Sequence, residues 1–369
     1  AFLGHFGLGP EDTPVIACGE MLVARNPSNR EIAEHVGIRQ PPAQELHDLV
    51  VVGAGPAGLA AAVYGASEGL NTLVLEREAA GGQAGASMRI ENYLGFPTGI
   101  TGAELTTRAV FQAEKFGVRL ATPTPAVSLG FESVYPVVRM DGETVTAKCL
   151  LIATGADYRR LCARNREQFE GSGVYYAATK IEADVCRGMG QVVVVGAGNS
   201  AGQAAVFLAE QGFRVLLILR GDDLYKSMSS YLARRIEHTD GIELLKNTEI
   251  SSMAGDGGQL RQIEVHNNVT GQTSTIETRA VFTFIGAVPR TCWLSDCVET
   301  DPKGFIKTGL ELAASPISIS HRQPFLLETS RPGVFAAGDV RLGSVKRVAS
   351  AVGEGAMAVQ FIHEYLKEL

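Results

Sequence analysis

The sequence lacks the patterns that mark a disulfide scaffold, a metal centre or a membrane protein. Its six cysteines are scattered, no two are spaced as Cys-x-x-Cys, and its seven histidines show no metal-ligand spacing. No uninterrupted apolar run approaches the ~18 residues of a membrane-spanning helix. The N-terminus shows no basic segment followed by an apolar one, so no signal peptide is visible. We therefore expect no metal, no membrane partner and a cytoplasmic location.

Basic patterning and paired thiols are also missing. The net charge is −7, and no basic block or basic-aromatic stripe is present, which argues against nucleic acid as a partner. Cys292 and Cys297 are close enough in sequence to pair in a loop, but two unrelated thiols are the favoured interpretation. The chain has 369 residues, 45% of them apolar, which is enough for the cores of two or three domains.

A glycine-rich loop follows a short apolar segment near the start of the chain. Asp48–Val52 is typical of a buried parallel strand, and Leu59–Tyr64 is typical of a helix. The loop between them is Gly53-Ala54-Gly55-Pro56-Ala57-Gly58. In a dinucleotide fingerprint the first two glycines allow a tight turn and the close approach of a pyrophosphate, and the third allows helix and strand to pack closely.

A second loop of the same kind begins 143 positions later. Gln191–Val195 precedes it and Gly202–Glu210 follows it, as strand and helix should. The loop itself is Gly196-Ala197-Gly198-Asn199-Ser200-Ala201. A single fingerprint is weak evidence, but two with the right flanks predict two bound nucleotides. Two nucleotides in one chain indicate electron transfer between them.

The residue that ends the second strand of each unit distinguishes the two nucleotides. Glu76 follows Leu73–Leu75, and its carboxylate suits the ribose hydroxyls of FAD. Arg220 follows Val215–Leu219, and its guanidinium suits the 2′-phosphate of NADPH. The alternative is a solvated surface arginine, and NADH remains possible. Lys226 would add positive charge there, whereas the acidic Asp222-Asp223 pair opposes an anion.

The first 45 residues differ from the rest. Thr13–Ala17 and Met21–Val23 predict a strand pair, and Asn26-Pro27-Ser28 predicts the cap of a helix from about Asn29 to His35. This pattern resembles the second half of a thioredoxin or glutaredoxin fold, with Pro14 where that fold has its cis-proline. A piece this small must pack on the remainder of the chain or be completed by upstream residues.

From Asp48 the chain alternates strands and helices, and its motifs resemble the low-molecular-weight thioredoxin reductase-like flavoproteins. The resemblance implies an α/β fold of two Rossmann-like domains: a split FAD domain at 46–160 and 287–369, and an inserted NAD(P)H domain at 161–286. It also implies a homodimer. The residues it implies around the flavin are Gly81-Gly82-Gln83, Asn92, Ala153-Thr154-Gly155, Gly338-Asp339 and Lys346-Arg347-Val348.

The chain departs from that family where the redox-active Cys-x-x-Cys should lie. The two cysteine positions are Ala177 and Lys180, and the following acid position is Ile181. Alanine and lysine cannot form a dithiol, so the usual transfer of electrons to a disulfide is excluded. Cys186 lies six residues beyond Lys180, in or near the next element, and cannot be assumed to substitute. The basic cluster for the 2′-phosphate is also incomplete, since Leu219 and Gly221 flank Arg220.

Three functional hypotheses follow. The first is an NAD(P)H-dependent flavin oxidoreductase with a non-disulfide acceptor, either a small molecule or a redox protein. The second is a thioredoxin reductase that uses an upstream or non-standard thiol pair. The third is a non-catalytic module that keeps FAD as a redox sensor. The intact second fingerprint favours the first.

Overall fold

A computed structural model describes residues 8–9, 12–18, 21–35, 46–87, 90, 92–178, 180–312 and 322–369. The chain divides into two compact units. Unit one is Ala1–Asp157 with Val288–Leu369, and unit two is Tyr158–Ala287. The N-terminal residues therefore group with unit one, and the chain leaves and re-enters that unit near positions 157 and 288.

The N-terminal residues form a small hairpin followed by a helix. Strands β1 (Val15–Cys18) and β2 (Met21–Arg25) are antiparallel, and helix α1 spans Asn29–His35. Ser28 caps this helix: its hydroxyl accepts from the Glu31 N–H at 3.3 Å, and the Glu31 carboxylate accepts from the Ser28 N–H at 2.7 Å. The end of this segment, expected at about residue 45, lies outside the described residues, and the thioredoxin-like origin of the segment stays a prediction.

Unit one is built on a mostly parallel sheet. Its strands are β3 (His47–Val52), β4 (Thr72–Leu75), β5 (Arg119–Ala121), β6 (Ser128–Glu132), β7 (Tyr135–Arg139), β8 (Thr144–Ile152) and β19 (Val334–Ala336). The parallel part has the order β5-β4-β3-β8-β19, while β6 and β7 form an antiparallel meander with the first half of β8. Its helices are α2 (Pro56–Ser67), α3 (Gly82–Gly85), α4 (Gly102–Lys115) and α8 (Val348–Leu366).

The core of unit one lies on both faces of this sheet. Leu49 and Val51 of β3 pack with α2 and α8, while Val50 and Val52 pack into a second cluster on the opposite face. Both sets are almost completely buried. This double burial explains why β3 is a continuous apolar run rather than an alternating one.

Unit two repeats this plan. Its strands are β10 (Val174–Tyr175), β11 (Gln191–Val195), β12 (Arg214–Ile218), β13 (Ile242–Leu245), β14 (Thr248–Asp256), β15 (Gln259–Asn267), β16 (Thr273–Glu277) and β17 (Val281–Thr283). The parallel sheet has the order β10-β17-β11-β12-β13, and β14-β15-β16 is an antiparallel meander. Its helices are α5 (Lys180–Val185), α6 (Asn199–Glu210) and α7 (Ser230–Glu237). The predicted α/β class with two Rossmann-like sheets is confirmed.

Two short strands mark where the chain passes between the units. They are β9 (Ala156–Tyr158) and β18 (Ala287–Pro289), which pair with each other. Among the described helices, none is both long enough and apolar enough to cross a membrane. The described side chains also include no cluster of His, Cys, Asp and Glu arranged to hold a metal ion.

Candidate nucleotide-binding sites

Glycine is needed at each of the three glycine positions of the first fingerprint for a different structural reason. Gly53 has φ +106°, and a Cβ there would lie 2.4 Å from the Ala153 carbonyl oxygen. A Cβ on Gly58 would lie 1.8 Å from the Gly53 carbonyl oxygen, so β3 and α2 approach too closely for any side chain. A Cβ on Gly55 would meet nothing within 4 Å. Gly55 is thus the position at which a ligand can approach the backbone.

The second fingerprint has the same geometry. Gly196 has φ +143°, and a Cβ there would lie 2.4 Å from the Phe284 carbonyl oxygen. Gly198, like Gly55, borders open space. Ala201 replaces the third glycine and is completely buried against the loop, with its Cβ 3.0 Å from the position of a Gly196 Cβ. Helix and strand are therefore far enough apart here to hold one methyl group.

Both loops open a helix whose N-terminus has no side-chain cap. Gly55 caps α2 and Gly198 caps α6, and neither offers an oxygen to the first N–H groups. Pro56 is the first residue of α2, where its missing N–H costs nothing. Uncapped N–H groups and the positive end of the helix dipole attract an anion such as a pyrophosphate.

Glu76 lies at the carboxyl end of β4, beside the first loop. It is buried, and its two carboxylate oxygens accept from the Ala54 N–H at 2.7 Å and the Glu78 N–H at 2.9 Å. These bonds fix the carboxylate against the fingerprint and leave a lone pair on each oxygen for a ribose hydroxyl.

The remaining residues predicted around the flavin also lie in unit one. The Gln83 side chain donates to the Ala156 carbonyl, and the Thr154 hydroxyl donates to the Arg290 carbonyl at 2.8 Å. A Cβ on Gly82 would lie 3.2 Å from the Gly55 Cα, so α3 begins directly beside the fingerprint. Asn92 is exposed.

A second part of this site lies after β19. Gly338 and Asp339 form a turn, and the Asp339 carboxylate makes no hydrogen bond to another described residue. Burial raises the pKa of Asp339, while Lys346 opposes that shift. Arg347 caps α8 through its backbone alone, so the N–H groups of Val348 and its neighbours are uncapped by any side chain. A half-buried carboxylate and a bare helix terminus are both suited to a polar ligand.

The second site has an exposed cation at the end of β12. The Arg220 side chain is 84% exposed, and its nearest acid, Glu249, is 4.0 Å away. Lys226 is instead paired with Asp222 at 2.7 Å, so it offers little free charge. Ser200 is exposed, whereas the Asn199 side chain accepts from the Ser229 N–H at 2.8 Å and so has a structural partner.

A family model matches most of the chain. The family model described as pyridine nucleotide-disulphide oxidoreductase matches residues 47–355. The chain belongs to this family. It is an NAD(P)H-dependent flavin oxidoreductase, and its thioredoxin reductase relatives bind FAD and NADPH.

The relatives and solved structures most similar to this chain include several thioredoxin reductases. A thioredoxin reductase of Listeria innocua is 32% identical over 331 residues, covering 88% of this chain and 96% of the relative. The structure of a Streptococcus pyogenes thioredoxin reductase has a TM-score of 0.74 at 30% identity, covering 89% of this chain and all of that one. A Giardia duodenalis thioredoxin reductase structure has a TM-score of 0.73 at 28% identity, covering 88% and 100%. The resemblance inferred from the sequence motifs is confirmed.

Both cofactors of this oxidoreductase family fit the residues present. FAD needs room beside the backbone of the first loop, and a Cβ on Gly55 would meet no atom within 4 Å. Glu76 and Asp339 are carboxylates with free lone pairs in the same unit. NAD(P)H finds the same open position at Gly198.

The segment that the sequence predicts to lie where thioredoxin reductases have their active-site disulfide contains no cysteine. Ala177 is exposed between β10 and α5, and Lys180 begins α5. Cys186 is completely buried, and burial raises the pKa of its thiol to about 11. Among the described cysteines, Cys149, Cys162, Cys186, Cys292 and Cys297 are all free thiols. Cys297 donates to the Leu129 carbonyl at 3.3 Å.

Sequence reasoning missed three sets of contacts that support the sites. Arg341 and Glu354 form a partly buried ion pair at 2.9 Å, and Glu354 also accepts from the Gly338 N–H at 2.7 Å. Arg290 makes a two-pronged pair with Asp157, with both distances 2.7 Å. The Ser227 hydroxyl donates to the Ala197 carbonyl at 2.8 Å, which ties a later loop to the second fingerprint. Arg341–Glu354 and Arg290–Asp157 each join residues that are not neighbours in the sequence, so no local sequence pattern predicts them.

A surface cleft of about 500 Å³ in unit two is separate from these sites. It is lined by Gln191, which begins β11, and by residues of the β14-β15-β16 meander. The fingerprint lies at the opposite, carboxyl end of β11, where dinucleotides bind in parallel sheets. The cleft therefore lies away from the second fingerprint loop.

Proposed function

We propose that this oxidoreductase takes electrons from NAD(P)H and delivers them to an acceptor other than a disulfide of its own Ala177–Lys180 segment. One observation carries the proposal: this segment holds an exposed alanine and a lysine, and the thiol next in sequence, Cys186, is completely buried. A buried thiol whose pKa is raised to about 11 is a poor nucleophile and exchanges slowly with disulfides.

Unit one would hold FAD. The uncapped N–H groups of α2 would bind the pyrophosphate, Glu76 would accept from the ribose hydroxyls, and Asp339 would accept from a hydroxyl of the ribityl chain. The remaining contacts are those of the predicted set around Gln83, Asn92, Thr154 and the start of α8. When bound, FAD supplies a carrier that accepts a hydride and passes its electrons on.

Unit two would hold the nicotinamide nucleotide. The α6 N-terminus would bind its pyrophosphate, and Arg220 would bind a 2′-phosphate, which favours NADPH over NADH. The exposure of Arg220 and its 4.0 Å separation from Glu249 leave its donors available for this contact. The protein then contributes position and charge rather than an acid or base.

The test is a two-step kinetic experiment. Anaerobic mixing with NADPH or NADH should bleach the flavin band within seconds, and the reduced protein should then be reoxidised by a quinone or ferricyanide. Failure of both nucleotides to bleach the band would favour the redox-sensor hypothesis. The same reduced protein should fail to reduce thioredoxin or an aromatic disulfide reagent at a comparable rate.

A gain-of-function variant provides the positive control. Ala177→Cys with Lys180→Cys restores the family spacing, and we expect it to reduce disulfides faster than the unaltered chain. If the unaltered chain already reduces disulfides as fast, the proposal is wrong. A Cys292→Ser/Cys297→Ser variant then shows whether those thiols are responsible.

Assembly and location are further proposals. The resemblance to thioredoxin reductases favours a homodimer in the cytoplasm. Sedimentation equilibrium at several protein concentrations measures the first, and fractionation of the source cells measures the second.

A further inference from the structure

The Gly338–Asp339 turn is held by a network on its far side. Glu354 accepts from the Gly338 N–H at 2.7 Å and from the Arg341 guanidinium at 2.9 and 3.3 Å. Arg341 also donates to the Thr308 hydroxyl at 3.1 Å, and its own N–H donates to the Gly338 carbonyl at 3.0 Å. The turn is thus bonded to α8 on one side and to the segment at Thr308 on the other.

This network leaves the turn no room to move. A Cβ on Gly338 would lie 3.0 Å from the Ala57 Cβ, and a Cβ on Gly355 would lie 2.1 Å from the Ala57 carbonyl oxygen. Gly338 therefore packs against the side chain of Ala57, and α8 approaches the backbone of the same residue in the first turn of α2. A shift of Glu354 would therefore move its hydrogen-bonded partner Gly338, the chain neighbour of Asp339.

The Arg341–Glu354 pair is also largely shielded from solvent. Its side chains are only 17% and 13% exposed, and buried ion pairs gain little stability over apolar residues because desolvation offsets their attraction. Asp339 itself makes no hydrogen bond to a described residue, so its position depends on its backbone. The Arg341–Glu354 pair thus adds little stability, but it can orient the Asp339 carboxylate for a ligand.

We propose that Arg341 and Glu354 are positioning residues that set FAD affinity by fixing the Gly338–Asp339 turn. The inference rests on the proposed assignment of FAD to unit one. Neither residue is assigned a contact with the cofactor. Their effect passes through the Gly338 N–H to the carboxylate of Asp339.

Unit one contains a matched control pair. Glu328 makes a two-pronged pair with Arg322 at 2.7 and 2.9 Å and accepts from the Gly333 N–H at 3.1 Å. Arg322 lies over the ring of Tyr365, about 16 Å further along α8 than Glu354. The control has the same Arg–Glu chemistry and no hydrogen bond to Asp339. Its carboxylate is more buried than that of Glu354, at 3% against 13% exposed, and its arginine also pairs with Glu368 at 2.7 Å.

The experiment measures the dissociation constant of FAD from the whole chain by flavin fluorescence, after the cofactor has been removed. We expect Glu354→Gln and Arg341→Met each to raise this constant about tenfold, because each breaks a charge-assisted contact. The double variant should be no weaker than the worse single variant, because the two residues act together. Glu328→Gln and Arg322→Met should lower the urea midpoint of the apoprotein and change FAD affinity less than twofold.

The outcomes separate the inference from the site assignment. If Asp339→Asn weakens FAD binding while the Glu354 and Arg341 variants do not, the positioning role is wrong and the site stands. If Asp339→Asn also leaves binding unchanged, the site assignment itself fails. If the Glu328 and Arg322 variants weaken FAD binding equally, then Arg341 and Glu354 have a purely structural role. Arg341→Lys keeps the charge without the planar fork, and if Arg341→Met does not fold, an unchanged constant in this variant overturns the proposal.

Discussion

At the scale of single residues, the two fingerprints separate glycines that serve the fold from glycines that serve the ligand. Gly58 is required by the 1.8 Å distance between its absent Cβ and the Gly53 carbonyl oxygen. Gly55 has ordinary backbone angles, φ −76° and ψ −176°, and nothing near it. Glycine is thus required at position 58 by close backbone packing, whereas at position 55 it keeps space open beside the backbone.

This difference predicts opposite phenotypes for two alanine substitutions. Gly58→Ala should lower the free energy of unfolding of the apoprotein by about 1–3 kcal/mol, because backbone must move to admit the methyl group. Gly55→Ala should leave that energy unchanged or raise it slightly, and should weaken FAD binding at least tenfold. Urea titration and FAD titration of both variants check this. Weaker folding of Gly55→Ala would show that the open space is needed by the protein itself.

Arg220 predicts the choice between the two nicotinamide nucleotides. Arg220→Ala should raise the KM for NADPH about tenfold and leave the KM for NADH unchanged, because only NADPH has the 2′-phosphate. Stability should not change, because the side chain is 84% exposed.

Arg214 is the control for that variant. It lies at the other end of β12, is 75% exposed and is 3.9 Å from Glu243. Arg214→Ala should alter neither KM. Equal effects of the two substitutions would mean that general surface charge, rather than a 2′-phosphate site, attracts the nucleotide.

At the scale of elements, β9 and β18 are joined by the Asp157–Arg290 pair. The two-pronged contact at 2.7 Å lies beside the Arg290 N–H, which donates to the Gly155 carbonyl at 3.1 Å. The Arg290 guanidinium lowers the pKa of Asp157. The folded state therefore binds this proton less tightly than the unfolded state does.

The sign of that shift predicts a pH dependence. The stabilisation is complete above the unfolded pKa of about 3.9 and is lost as the pH falls through the lower folded value. Asp157→Asn should therefore destabilise the protein at pH 7 by less than about 1 kcal/mol, since the pair is partly exposed. The difference from the unaltered chain should shrink as the pH falls below about 3.9 and continue to shrink as the carboxyl is protonated in the folded state.

Urea unfolding across pH 3–7 measures this effect. Asp256→Asn breaks a more exposed pair with Arg261 in the β14–β15 turn, where the acid is 75% exposed, and serves as the control. It should have a smaller effect at every pH. A difference for Asp157→Asn that persists at low pH would show that the carboxyl acts through packing instead of charge.

The elements also show where sequence reasoning succeeded. Sequence patterns predicted the strand before each fingerprint, the helix after it and helix α1 from Asn29 to His35. Each of these elements depends on residues within one or two turns of each other. The Ser28–Glu31 capping contacts arise from neighbours three residues apart. The antiparallel meanders were not predicted, since their pairing depends on turns and partners that periodicity does not specify.

At the scale of the whole molecule, the repeated plan of the units predicts that each nucleotide protects its own loop. FAD should slow amide hydrogen exchange at residues 53–59, and NADPH should slow it at residues 196–202. A ligand at 100 times its dissociation constant adds about 2.7 kcal/mol of protection. Hydrogen-exchange mass spectrometry of the apoprotein with each nucleotide makes the measurement.

Paired variants sharpen that experiment. Gly55→Ala should abolish only the protection by FAD, and Gly198→Ala only the protection by NADPH, because each side chain would occupy open space at one loop. Protection of one loop by both nucleotides would contradict the assignment of units to cofactors.

The sequence alone determined the α/β class and the two glycine-rich loops, and it predicted the loss of the family's cysteine pair, because each of these features depends on a few neighbouring residues. Tertiary structure decided how the loops are supported. Arg290 meets Asp157 across 133 residues, and Glu354 reaches Gly338 only because α8 packs against α2. Such contacts depend on where the chain returns, and no local pattern encodes that. The burial of Cys186 likewise follows from how the chain packs, and the sequence alone did not predict it.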